Sequence, residues 1–222
     1  MSERRAKDRV YEQLARIGKA LASPKRFELV ELLCQGERSV HGLSRAAGMP
    51  LTTTSAHLQA LRAGGLVESR REGTKAFYRV ADDEVCRLLT QVRSLAASRL
   101  AEIERIVRDH FDVPDELEFL GREELVARLG SEDVVVIDVR PQEEYEAGHI
   151  RGAISVPLPD LPGWLAGLPA GTEVIAYCRG PYCVLAPQAL GVLRANGFNA
   201  RRLEDGFPEW RLAGLPVASG RS

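Results

Sequence analysis

An apolar run that passes through a cysteine into a glycine-containing turn, and from there into a helical pattern, leaves a chain few ways to fold. Glu173-Val174-Ile175-Ala176-Tyr177 reads as a strand, and Val184 to Leu193 reads as a helix. Between them lies the loop Cys178-Arg179-Gly180-Pro181-Tyr182-Cys183. Strand, short loop and helix in this order belong to an α/β architecture. A cysteine at the carboxyl end of such a strand meets a positive field, because loop N–H groups point inward and the helix N-terminus adds partial positive charge. That field is expected to lower the thiol pKa of Cys178 and hold the thiolate, the reactive form. Val134-Val135-Val136-Ile137-Asp138-Val139-Arg140 reads as a second buried strand that ends in an acid and a base.

Charge divides the chain in two. Residues 1–110 carry 20 Lys and Arg against 14 Asp and Glu, and residues 111–222 carry 10 against 17. The formal net charge of −1 therefore conceals a basic half and an acidic half. A basic half points to a polyanionic partner. The composition changes near Asp109-His110-Phe111-Asp112-Val113-Pro114-Asp115, where proline ends a helical pattern. Domains are expected over 1–110 and 111–222, joined by a link too short to be a long tether. With no run of 18 apolar residues and no apolar stretch after Met1, neither a membrane span nor a signal peptide is expected. A cytoplasmic protein is expected, with its four cysteines as thiols rather than structural disulfides.

In the basic half, Ser23-Pro24 opens a helix that carries Phe27, Leu29, Val30, Leu32 and Leu33 and stops near Gly36. A short helix follows Ser39 and ends at Gly48. A third starts near Leu51 and buries Leu58 and Leu61. Leu66 to Arg71 and Lys75 to Val80 are short β patterns joined by Glu72-Gly73-Thr74, a hairpin signal. Three helices followed by a hairpin make a winged helix-turn-helix. Val10, Leu14, Ile17 and Leu21 form an apolar stripe ahead of this core, and Val85, Leu88, Val92, Leu95, Leu100, Ile103 and Val107 form another behind it. Stripes outside so small a domain call for a partner, so a homodimer is expected.

Two families are recognisable. Leu21-Ala22-Ser23-Pro24-Lys25-Arg26 and Ser55-Ala56-His57-Leu58-Gln59-Ala60-Leu61-Arg62-Ala63-Gly64-Gly65-Leu66-Val67 resemble the ArsR family of bacterial repressors over about residues 7–108. The resemblance implies binding to a double-stranded DNA operator. The N-terminal end of the third helix enters the major groove, so Thr52, Thr53, Thr54, Ser55 and Gln59 are the candidate readers. Arg70, Arg71 and Lys75 on the wing are candidate phosphate contacts. Cys34 and Cys86 fall outside the positions at which some members of that family sense sulfur, and the Cys-x-Cys of arsenic and cadmium sensors is missing, so no metal is expected.

The second half resembles a single-domain rhodanese, a sulfurtransferase, over about residues 115–218. The motifs are the Asp138/Arg140 strand end, Glu143-Glu144-Tyr145-Glu146-Ala147-Gly148-His149-Ile150-Arg151-Gly152, the Cys178 loop, and Leu203-Glu204-Asp205-Gly206-Phe207-Pro208-Glu209-Trp210. The resemblance implies an α/β domain with a central parallel sheet, no cofactor, and a cysteine that takes sulfur from a sulfane donor as a persulfide. The matching residue is Cys178. Asp138 and Arg140 are expected to fix neighbouring loops, and His149 to be a hydrogen-bonded loop residue. Cys183 stands where many rhodaneses carry a basic residue that helps to hold thiosulfate. Arg179 is a candidate substitute cation, and Cys183 a candidate resolving thiol. The combination reads as a transcriptional regulator, a repressor, responding to reactive sulfur. The alternatives are a sulfurtransferase that delivers sulfur to an acceptor, and a non-catalytic sensor whose loop binds an anion or oxidant.

Overall fold

The structure is a computed structural model of the chain; it describes residues 2–110, 119–131, 133–169 and 171–220. Two compact units are present, 1–92 and 93–222. The expected boundary near residues 109–115 falls largely on residues 111–118, which lie outside the described residues.

The first unit begins with α1 (Glu3–Leu21), whose Val10 and Leu14 are exposed along its length. Helix α2 (Pro24–Cys34) has proline in its first turn, where the missing N–H costs no hydrogen bond, and it buries Leu29, Val30, Leu32 and Leu33. Strand β1 (Arg38–Ser39) leads into α3 (Val40–Ala46), whose N-cap Ser39 accepts a 3.1 Å hydrogen bond from the Gly42 N–H. Gly48, at φ +59°, turns the chain into α4 (Leu51–Ala63). Helix α4 inserts Leu58 and Leu61 into the core. Strands β2 (Val67–Glu72) and β3 (Lys75–Val80) pair antiparallel from Val67↔Val80 to Glu72↔Lys75, and Gly73 at φ +59° makes the tight turn between them.

The winged helix-turn-helix is thus as expected, with one addition. β1 pairs with β3 through Arg38↔Tyr78 and makes a three-stranded sheet. Two residues are too few to show a β period in the sequence. The long last seam is also interrupted: α5 (Asp83–Arg99) and α6 (Ala101–His110) are separated at Leu100, whose carbonyl accepts the Ile103 N–H.

Cysteine pairing corrects the sequence reading. Cys34 at the end of α2 and Cys86 at the start of α5 are joined in a disulfide, with Cα atoms 5.8 Å apart. Both side chains are buried, and only the packing of α5 against α2 brings them together across a sequence separation of 52 residues. Cys178 and Cys183 are the free thiols.

The second unit is a doubly covered parallel sheet. Its elements are β4 (Phe119–Leu120), α7 (Arg122–Arg128), β5 (Val134–Asp138), α8 (Gln142–Ala147), β6 (His149–Ile150), β7 (Ile154–Ser155), a 3-10 turn (Leu158–Asp160), α9 (Leu161–Leu165), β8 (Glu173–Tyr177), α10 (Leu185–Ala195), β9 (Asn199–Leu203), α11 (Phe207–Leu212) and β10 (Val217–Ala218). Five strands pair in parallel in the order β4-β9-β8-β5-β7, and β6 pairs antiparallel with β10. Side chains on β8 alternate. Val174 and Ala176 pack with Leu190 and Leu193 of α10, whereas Ile175 and Tyr177 pack with Leu125, Phe207 and Trp210 on the other face. Burial on both faces explains why β5 and β8 read as continuous apolar runs rather than alternating ones.

The disulfide predicts a redox-dependent stability for the first unit. Closing a loop of 52 residues contributes up to about 4 kcal/mol by chain entropy. Addition of a phosphine reductant should therefore lower the denaturant midpoint of the wild-type helix-turn-helix unit. A Cys34→Ser/Cys86→Ser variant should show one midpoint with and without reductant. An unchanged wild-type midpoint would argue against the cross-link.

Candidate functional site

The end of β8 sets the site. Tyr177 and Cys178 are consecutive, so they point to opposite faces of the sheet, and the face taken by Cys178 is the one α10 covers. Cys178 is almost fully buried, and Cys183 is half-buried. The loop between them closes on itself: the Cys183 N–H donates to the Gly180 carbonyl at 3.1 Å, and the Cys178 Sγ lies 3.8 Å from both the Gly180 and Cys183 carbonyl oxygens. Backbone N–H groups reach both sulfurs. Those of Gly180 and Ala186 serve Cys178, and those of Arg179 and Leu185 serve Cys183. Leu185 and Ala186 open α10, so the helix N-terminus supplies part of the positive field that the sequence implied.

The charge, however, settles on the other sulfur. The two thiols share a hydrogen bond, which pushes Cys178 well above the ordinary thiol range; burial and the charge on Cys183 add to the rise. The same hydrogen bond brings Cys183 down to about 6 against the cost of burial, helped by the Leu185 and Arg179 N–H groups and the Arg179 charge. The expectation of a depressed pKa for Cys178 is therefore corrected. The two thiols are thus pushed in opposite directions, Cys178 toward keeping its proton and Cys183 toward losing it.

Arg179 does not stand as an unpaired cation for an incoming anion. Its Nη2 lies 2.6 Å from Glu144 Oε1, and its Nε lies 3.0 Å from both carboxylate oxygens. The Glu144 side chain is fully buried, so its charge needs this guanidinium. Arg179 thus props the loop on α8 and lends its field to Cys183. Of the remaining loop residues, Pro181 accepts a 3.5 Å contact from Arg202 Nη2, and Tyr182 is half-buried.

Beneath the loop, Asp138 and Arg140 form an ion pair with no exposed surface, Nη2 to Oδ2 at 2.6 Å. Asp138 also accepts the Arg140 N–H at 3.0 Å and the Tyr177 hydroxyl at 2.7 Å. Arg140 donates to the Gly148 carbonyl at 2.7 Å and lies 4.4 Å from the Phe207 ring centroid. Burial, and then the Asp138 charge, raise the Tyr177 hydroxyl well above its ordinary range, so it remains a donor. The pair ties β5 to the Gly148 carbonyl after α8 and to the Tyr177 hydroxyl at the end of β8. His149 stacks on Tyr145 with centroids 3.7 Å apart, and its Nδ1 lies 2.8 Å from the Tyr145 carbonyl.

Three contributors escaped the sequence reading: the Tyr177 hydroxyl, Glu144 as the counter-ion of Arg179, and Gly206. A Cβ on Gly206 would lie 2.4 Å from the backbone of Arg179 and Gly180, so that position admits no side chain. The Asp205-Gly206-Phe207-Pro208 run carried a signal for it. Nothing in an apolar strand pattern marks a tyrosine hydroxyl as a network donor.

In the first unit, Thr52 and Thr53 are exposed on the first turn of α4, and Ser55 is half-buried. Thr54 is a correction. It is fully buried, its hydroxyl donates to the Pro50 carbonyl at 3.0 Å, and its role is to tie down the helix start rather than to read bases. Gln59 donates to the Tyr78 hydroxyl at 2.9 Å. On the wing, Arg71 and Lys75 are exposed. Arg70 is paired with Glu37 at 2.5 Å and Glu72 at 2.7 Å and lies 4.6 Å from the Phe77 ring centroid. No helix among the described residues is long and apolar enough to cross a membrane.

Comparison with known proteins matches both units. The rhodanese-like domain family matches residues 121–213, and the arsR family of bacterial regulatory proteins matches residues 23–69. The HTH-type transcriptional regulator Rv0324 of Mycobacterium tuberculosis is 48% identical over 209 residues, covering 94% of this chain and 92% of that protein. The tRNA uridine(34) hydroxylase of Citrobacter koseri is 32% identical over 144 residues, 56% of this chain and 40% of that enzyme. Among solved structures, the homodimeric winged helix-turn-helix DNA-binding domain from Mycobacterium bovis, described as a possible ArsR-family regulator, is 50% identical. It covers 45% of this chain and 91% of that one, at a TM-score of 0.41. A relative alike over both units and nearly its whole length places the chain in a family: it belongs to the ArsR-type HTH transcriptional regulators that carry a C-terminal rhodanese-like domain.

Proposed function

We propose that this regulator is a homodimeric repressor that binds a pseudo-palindromic operator and responds to reactive sulfur through a persulfide on Cys178. The observation that carries the sulfur reading is the pair of free thiols, Cys178 and Cys183, in the closed loop that leads from the end of β8 to the start of α10. Such a site stabilises an anionic sulfur, whether thiolate or persulfide. In the reaction, Cys178 gives its proton to Cys183 and attacks a sulfane sulfur. The bond from that sulfur to its leaving group breaks, and the electron pair departs with the leaving group. The ion pairing of Arg179 with Glu144 disfavours thiosulfate as donor, because that guanidinium is already matched by a carboxylate.

DNA binding is assigned to the exposed first turn of α4, with Thr52, Thr53 and Ser55 at the groove and Arg71 and Lys75 on phosphates. The apolar side chains exposed on α1, Val10 and Leu14, and on α5, Leu95, are the surfaces that a second copy covers.

Two results are expected. Arg71→Ala and Lys75→Ala should each flatten the salt dependence of operator affinity by about one unit of slope. Arg70→Ala should change it less, since Glu37 and Glu72 already engage that guanidinium. Wild-type slopes in all three variants, measured by fluorescence anisotropy across a salt series, would remove the wing from the interface. On the sulfur side, polysulfide should transfer sulfur to Cys178, seen as about 32 added mass units there or as released hydrosulfide, and Cys178→Ser should do neither, since a hydroxyl forms no persulfide. The rate of uptake should rise with pH through about 6, as the Cys183 thiolate that accepts the Cys178 proton forms, and level off above it. A rate independent of pH between 5 and about 8 would exclude that proton transfer.

A further inference from the structure

We propose that Cys183 is a second reacting thiol of the loop, which resolves a persulfide on Cys178 into a Cys178–Cys183 disulfide and releases hydrosulfide. The inference rests on the persulfide reading above and goes beyond it: it makes the loop a two-electron switch rather than a sulfur carrier.

The geometry favours resolution from inside. Cys178 is only 4% exposed, with its sulfur wrapped by the Gly180 and Cys183 carbonyls, so an outside thiol has little access to its inner sulfur. Cys183 belongs to the same closed loop, with its carbonyl oxygen 3.8 Å from the Cys178 Sγ. Closure of the loop by the Cys183 N–H on the Gly180 carbonyl keeps the two residues together, and Gly206 pressed against Arg179 and Gly180 backs the loop. Cys183 is a thiolate near neutral pH, with a pKa of about 6, close to the value at which an attacking thiol combines population with nucleophilicity.

The step balances without a further oxidant. After sulfur uptake, Cys183 holds the proton it took from Cys178, and the persulfide carries the negative charge. That proton passes to the terminal sulfur. The Cys183 thiolate then attacks the Cys178 Sγ, a Sγ–Sγ bond forms, and the bond from Sγ to the terminal sulfur breaks. Hydrosulfide leaves with the electron pair and the proton. The sulfane sulfur is reduced by two electrons, and each cysteine sulfur is oxidised by one. Two equivalents of a low-molecular-weight thiol reset the loop by thiol–disulfide exchange.

The test uses the full chain, brief exposure to inorganic polysulfide, removal of excess reagent, alkylation and peptide mapping. In the wild type, the expected product is a peptide pair linked through Cys178 and Cys183, about two mass units lighter than the dithiol. In Cys183→Ser and Cys183→Ala, exposed for longer and at about pH 9 to offset the lost proton acceptor, the Cys178 persulfide should accumulate at least about 10-fold above wild type treated alike. The two substitutions guard against a folding defect in either one. Equal persulfide in the wild type and both variants, with no linked peptide, would overturn resolution and leave the persulfide reading standing. Sulfur found on Cys183 in the wild type would overturn it as well, in favour of transfer to the outer cysteine. If Cys178 stays unmodified in every form, the persulfide reading fails first and takes this proposal with it.

Discussion

The Asp138 carboxylate is the point on which the second unit turns. It sits at the end of β5 without exposed surface and is satisfied by the Arg140 guanidinium, the Arg140 N–H and the Tyr177 hydroxyl. A buried carboxylate is tolerated only when so paired, and loss of one partner typically costs about 3–5 kcal/mol. Through Arg140 the same network reaches the Gly148 carbonyl after α8, and through the Tyr177 hydroxyl it reaches the Ile150 N–H at 3.1 Å. It therefore ties β5, β8 and the 148–150 segment together one residue before Cys178. The network fixes where β8 ends, and β8 fixes where Cys178 emerges.

A second ion pair, the buried Glu144 with the partly exposed Arg179, holds the loop from the α8 side, and Gly206 presses close against the backbone of Arg179 and Gly180. Between these supports lie the two thiols of the loop. Their mutual hydrogen bond raises Cys178 and lowers Cys183; burial adds to the rise at Cys178, and the Leu185 and Arg179 N–H groups and the Arg179 charge add to the fall at Cys183.

The winged helix-turn-helix was legible because its signals are local. Ser23-Pro24 at a helix start, Gly48 between helices and Gly73 in the hairpin each mark a turn by the conformation it needs, and Leu58 and Leu61 mark the inner face of α4. Likewise the apolar runs of β5 and β8 announced a sheet covered on both sides. The reading failed where a residue's meaning lay in another element. Thr54 looks the same as Thr52 and Thr53 in a run of hydroxyl residues, yet helical rotation turns it inward to Pro50. Cys34 and Cys86 carry no local mark of pairing. β1 is too short to have a period at all.

By itself the sequence determined the winged helix-turn-helix, the two families, the strand–loop–helix that carries Cys178 and the charge division between the halves. All of these follow from spacing along the chain or from motifs a few residues long. Tertiary structure alone decided which cysteines are joined, that Arg179 is engaged by Glu144, that Tyr177 completes the Asp138 network, and that Cys178 and Cys183 are pushed in opposite directions. Each of these is a matter of distance between groups far apart in the chain, or of burial. Electrostatic and hydrogen-bond energies depend on those quantities steeply, and sequence neighbours do not report them.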